Sequence, residues 1–138
     1  MWAVVHFKDG RLIKGFTRDF APTKKTFHLT SEQNKDRGSE YKVKMNDLKA
    51  VFFVKTLEGN KDYAEKKRFE EVETSGLKGL KIKVKFTDGE IIRGISLGYS
   101  KSSKGFFVIP LDPESNNERI YVVTDDIRDV KIGAAAEK

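Results

Sequence analysis

Ile82, Val84 and Phe86 alternate with Lys81, Lys83 and Lys85. A period of two places one set on each face of a strand. Asp88-Gly89 follows and predicts a tight type I′ hairpin, whose two central residues take positive φ. The second strand is predicted over 90–98 and is interrupted by Gly94, where a strand glycine marks a bulge or sharp bend. The third centres on Phe106 and Val108, the fourth on Ile120 and Val122. A short turn at Asp125-Asp126-Ile127 then leads to a fifth strand over 129–132.

The same series occurs earlier in the chain. Sliding Phe7 onto Phe86 aligns Ala3–Phe53 with Ile82–Ile132 without a gap. Val5, Phe7, Asp9, Gly10, Ile13, Gly15, Lys25, Phe27, Val43, Asp47 and Val51 all fall on identical residues. A fixed period over about fifty residues means two copies of one structural unit. The expectation is an all-β protein of two tandem five-stranded small barrels, over 1–56 and 78–133. A linker over 57–77 joins them. Its stretch from Asp62 to Val72 is rich in helix formers, which predicts one short helix docked by Phe69 and Val72 and ended by Gly76 and Gly79. The tail, 134–138, has little to bury and is expected to fray.

The shared frame also fixes what points outward. With Val5 and Phe7 inside, Trp2, Val4 and His6 face out where the second copy has Lys81, Lys83 and Lys85. On the fifth strand Phe52 and Val54 face out, against Lys131 and Gly133. The third and fourth strands reverse the contrast. The first copy shows His28, Thr30, Lys42 and Lys44, and the second shows Phe107, Ile109, Tyr121 and Val123. Apolar patches of this kind are seldom left in water. The economical expectation is that Trp2, Val4, Phe52 and Val54 dock on Phe107, Ile109, Tyr121 and Val123. The competing one is that a patch takes up a partner protein.

Val5-His6-Phe7-Lys8-Asp9-Gly10 with Gly15, and Val84-Lys85-Phe86-Thr87-Asp88-Gly89 with Gly94, resemble the first motif of the Sm and LSm proteins. The tandem is also similar to uncharacterised bacterial modules. The resemblance implies SH3-like, Sm-like folds for both repeats. Asn46-Asp47 and Asp125-Asp126 stand where that family places an Arg-Gly pair before its last strand, and an acidic turn repels phosphate.

Charge is uneven along the chain. Residues 1–60 hold 12 Lys/Arg against 7 Asp/Glu, and residues 80–138 hold 10 against 9. A polyanion should therefore meet the first copy. The loops after the second strands, Phe20 to Lys25 and Tyr99 to Lys104, each set an aromatic beside two lysines: Lys24 and Lys25, Lys101 and Lys104. A ring that stacks a base beside amines at phosphates suits single-stranded nucleic acid. The capping of each barrel end by Phe20 and Tyr99 is the alternative. His28, Lys42 and Lys44 extend the basic face of the first copy.

Other chemistries lack their residues. There is no cysteine, and His6 and His28 lie in different strands without metal-ligand spacing, so neither a metal nor a cofactor is expected. Nucleophile-elbow, P-loop and dinucleotide motifs are absent, and the repeated acids sit in turns. No run approaches the ~18 apolar residues of a membrane span, and the expected compartment is the cytoplasm. The expected function is a non-enzymatic binding module for RNA or single-stranded DNA. The alternative is a protein-interaction adaptor using an apolar patch or a sheet edge.

Overall fold

The structure is a computed structural model that describes residues 1–33, 35–59, 61–73, 78–96 and 98–138. The first repeat contributes β1 (Trp2–Phe7), β2 (Leu12–Phe16), β3 (Thr26–Ser31), β4 (Glu40–Lys44) and β5 (Leu48–Val54). The second contributes β6 (Leu80–Phe86), β7 (Ile91–Ser96), β8 (Gly105–Pro110), β9 (Asn117–Val123) and β10 (Ile127–Ile132). Every pairing is antiparallel. A single 3-10 turn precedes the last strand of each repeat, at Met45–Asp47 and Thr124–Asp126.

The hairpin turns differ from expectation in one respect. Within these two turns only Gly10 and Gly89 have positive φ, at 93° and 92°, and no residue other than glycine does among those described. Gly10 N donates to Phe7 O, and Gly89 N to Phe86 O. These are type I turns closed by a glycine bulge, not type I′ turns. The preceding aspartates thus keep ordinary φ, and their carboxylates cap the turn. Asp9 accepts from Arg11 N at 3.0 Å and Asp88 from Glu90 N at 2.9 Å.

The strands form one open sheet in the order β10-β6-β7-β8-β9-β5-β1-β2-β3-β4, rather than two separately closed barrels. The join is the β5–β9 ladder, with Val51 opposite Tyr121, Phe52 opposite Ile120 and Ala50 opposite Val122. Because side chains alternate along both strands, this ladder is a wall with a core on each face. Val51, Phe53, Tyr121 and Val123 pack with Val5, Phe7, Phe27, Leu29 and Val43 of the first repeat. Ala50, Phe52, Val54, Ile120 and Val122 pack with Ile82, Val84, Phe86, Phe106 and Val108 of the second. Each core borrows residues from the other repeat.

The expected docking of two apolar patches therefore takes another form. Phe52, Val54, Tyr121 and Val123 are buried, and Val4 and Phe107 are partly so, each against the other repeat's core. Trp2 and Ile109 stay outside at 40% and 36% exposure. Edge pairing, which also satisfies backbone groups, replaces the contact of barrel faces.

An ion cluster locks the same junction. Lys49 of β5 is buried, and its Nζ donates to Asp88 Oδ2 at 2.7 Å and to Glu90 Oε1, both in the β6–β7 hairpin. It also lies 4.7 Å from the centroid of the Phe86 ring. Burial works against its charge, but the two carboxylates more than offset this and raise its pKa. The first repeat has Arg11 where the second has Glu90, so its own hairpin is closed by Arg11 and Asp9 alone.

His6 sits beside this cluster with its ring 4.3 Å from that of Phe52. Burial is the main reason its pKa falls to about 4 from 6.5; Lys49 pushes the same way, whereas Glu90 and Asp88 oppose. The unfolded chain takes up a proton near pH 6.5 that the folded state refuses until about pH 4. Stability from this group is complete above pH 6.5 and lost as pH falls toward 4. Allowing for partial solvent screening, the loss is about 2 kcal/mol. Unfolding free energies from urea titrations at about pH 7 and about pH 4.5 should differ by that amount in the wild type and by much less in His6→Phe. An unchanged slope in the variant would assign the effect to carboxylates instead.

The linker is extended where a helix was expected. Among its described residues only Phe69–Glu71 makes a 3-10 turn. Tyr63 Oη and Lys66 N donate to the Asp112 carboxylate, and Ser115 Oγ to Glu65, which pull the chain straight across the second repeat. Phe69 is docked, buried with Ile95, Leu111 and Ala136, and Val72 packs against them. The stop at Gly76 lies outside the described residues. The tail does not fray. Gly133, with φ 64°, turns it back, Ala136 is fully buried, and Glu137 pairs with Lys81 at 3.0 Å.

Candidate nucleic-acid interface

The repeated lysine is held by the same backbone bond in both copies. Met45 N donates to Lys25 O at 2.9 Å, and Thr124 N to Lys104 O at 2.9 Å. These bonds tie each β2–β3 or β7–β8 loop to the turn before the last strand. Because β9 lies against β5, the two loops meet at the junction. Lys24 and Lys25 of one repeat and Lys104 of the other line a cavity of about 260 Å³, together with Asn46, Tyr121 and Asp125. Asp125 is its one acid, and that carboxylate lies 3.9 Å from Lys8. Among the described residues Lys24, Lys25 and Lys104 make no ion pair. Three exposed ammonium groups around one hollow give it a positive local potential.

Lys42 and Lys44 extend the basic surface along β4, a sheet edge, with Lys44 opposite Thr26 and so beside Lys25. His28, opposite Lys42, is engaged otherwise. Its Nδ1 is 2.7 Å from Asp19 Oδ2 and its Nε2 4.0 Å from Glu40 Oε1. Hydrogen bonds from the His28 ring and backbone hold the Asp19 carboxyl below its usual range. Lys101 is exposed and does not line the cavity.

The two loop aromatics cap the cores. Phe20 meets Phe27, Phe53 and Tyr121 edge-on, with centroids 5.1, 4.9 and 5.4 Å away. Tyr99 meets Phe106 at 4.9 Å. Both rings are half-buried, so capping and surface exposure coexist at each. A second hollow, about 420 Å³, adjoins the first and shares Pro22 and Tyr121 with it. It is lined by Phe107 and Ile109, with Arg119 on its wall. The Arg119 guanidinium lies 4.7 Å from the centroids of both Phe53 and Phe107.

A family model matches residues 1–134, described as a family of unknown function (DUF6982). The chain belongs to this family. No curated protein and no solved structure gave a match. For this DUF6982 protein, what the site does is therefore argued from its geometry. Among the described residues no helix is long and apolar enough to cross a membrane. Sequence reasoning missed Arg119 and the Tyr121 hydroxyl as site groups. The signal was present in the repeat comparison, since their counterparts are Glu40 and Lys42, a change of charge at both positions.

Proposed function

We propose that this protein is a non-enzymatic module that binds RNA or single-stranded DNA on a basic path from β4 across the inter-repeat cleft. The observation that carries the reading is the convergence of Lys24, Lys25 and Lys104, from both repeats, on one cavity with a single acid. Phosphates neutralised there release counterions, so affinity should fall with salt by a log–log slope of about −0.7 per phosphate on a single strand. The strand order within each repeat, with the last strand beside the first, supports reading each as a small SH3-like or Sm-like unit opened along one edge.

Two single substitutions test the site. Lys104→Glu and Lys101→Glu change net charge equally and lie three positions apart in one loop. At low salt, Lys104→Glu should weaken binding to a labelled single strand by about tenfold, and Lys101→Glu by about twofold at most. Lys24→Glu with Lys25→Glu should cost about a hundredfold. Equal losses from Lys101 and Lys104 would reduce the effect to net charge. No binding to any nucleic acid at low salt would end the proposal. The adaptor reading has one observation of its own, the apolar hollow at Phe107 and Ile109. A peptide held there would bind with little salt dependence.

A further inference from the structure

We infer that the hollow at Phe107, Ile109 and Arg119 is a base seat, so that the cleft accepts single strands and excludes duplex. This rests on the nucleic-acid reading above and assigns the part of the ligand that the lysines do not hold.

Three observations carry it. The first is adjacency. The basic and apolar hollows share Pro22 and Tyr121, so a group bound to Lys24, Lys25 and Lys104 continues directly into the apolar one. A nucleotide has the same sequence of parts, an anionic phosphate joined through a sugar to a flat, weakly polar ring. At about 420 Å³ the hollow is within the usual range of small-ligand sites, ~300–1,000 Å³.

The second is Tyr121. The residue is 5% exposed and lines both hollows, and the only buried side-chain polar atom without a partner among the described residues is Ser96 Oγ, so the Tyr121 hydroxyl is open to the cleft. A hydroxyl at the seam of the two hollows can donate to a ligand held there. The group lies against Gly105, where a Cβ would come within 2.3 Å of it, and Gly105 is itself part of the hollow's lining. Burial raises its pKa, so it stays a proton donor.

The third is Arg119. Stacked on Phe53 and Phe107, it makes no ion pair among the described residues, and its Nη2 meets only Met1 Sδ, a weak acceptor, at 3.3 Å. A flat cation beside Phe107 offers a π-face to a base and N–H groups to its acceptor edge. The bases of a duplex are stacked inside and cannot enter such a recess.

The experiment is fluorescence anisotropy on the full chain at low salt, with a labelled single strand and the duplex of equal length. Ile109→Glu puts a carboxylate into the seat from an exposed position. Ile91→Glu makes the same charge change at another exposed isoleucine, outside the seat. Tyr121→Phe removes only the hydroxyl. The expected result is single-strand binding weakened about tenfold or more by Ile109→Glu, about twofold by Ile91→Glu, and about threefold to tenfold by Tyr121→Phe, with duplex bound more weakly than single strand by the wild type and that gap narrowed by Ile109→Glu. Melting curves confirm that the variants fold, and Tyr121→Phe, nearly isosteric, keeps the test decisive if Ile109→Glu does not. Equal losses from Ile109→Glu and Ile91→Glu together with an inert Tyr121→Phe, or duplex bound as tightly as single strand, would overturn the base seat while leaving the lysine site standing. Absence of binding by the wild type would instead overturn the lysine site, and the seat with it.

Discussion

A chain cut to residues 1–56 is expected to be unfolded, although it contains every strand of the first repeat. The cut removes β9, and with it the backbone partner of β5 from Ala50 to Val54. It takes Tyr121 and Val123 out of the first core, together with Phe107, which packs against it. It also leaves Ala50, Phe52 and Val54, now buried against the second repeat, facing water. At about 1.5–3 kcal/mol for each large apolar side chain, the loss is ~5–10 kcal/mol. That is comparable with the whole stability of a domain, about 5–15 kcal/mol. Amide proton dispersion in an NMR spectrum is the measurement. A narrow, random-coil spectrum is expected, and a dispersed one would show that the first repeat is self-sufficient. The intact chain should correspondingly melt in one transition, with Trp2 fluorescence and calorimetry giving the same midpoint.

The strands were legible in the sequence and the join between repeats was not, for a physical reason. Alternation tells which residues share a face, and it correctly set Val5, Phe7, Val84 and Phe86 in the cores. It also showed that Phe52, Val54, Tyr121 and Val123 needed cover. It carries no information on which strand edges pair, because the backbone groups that make a ladder are the same at every residue. Docked faces and a continuous sheet were therefore equally compatible with the pattern.

The linker failed differently. Asp62 to Val72 is rich in helix formers, but propensity is a weak prior that tertiary contacts override. Here the override is the Asp112 carboxylate, which takes hydrogen bonds from Tyr63 and Lys66 across more than forty residues. Of the site, the pairing of aromatic and lysine loops led to Lys24, Lys25 and Lys104. The aromatics were the less informative half, since Phe20 and Tyr99 are drawn inward by the cores they cap.

Gly94→Ala is expected to be the most damaging of the conservative glycine substitutions, and its effect should cross the repeat boundary. A Cβ at Gly94 would lie 2.2 Å from Ile109 O and 2.7 Å from Val108 Cγ1. Gly15 is its counterpart, with Thr30 O at 2.2 Å. The obstacle is in each case a backbone carbonyl of the neighbouring strand. Gly94 pairs with Pro110 and Ile95 with Ile109, so the carbonyl can move only by opening the β7–β8 ladder. Overpacking of this kind costs about 3 kcal/mol, a fall in melting temperature of roughly 10 °C for a chain of this size. Gly98→Ala is the control, since a Cβ there meets nothing within 4 Å, and it should be nearly neutral. The distinctive expectation is where the loss is seen. Gly94 bends a strand of the second repeat, while Trp2 reports from the first. If β5 and β9 are one wall, Trp2 fluorescence should fall at the same lowered temperature as the calorimetric transition. A Trp2 midpoint left at its wild-type value would mean that the repeats unfold separately and that the shared wall does not couple them.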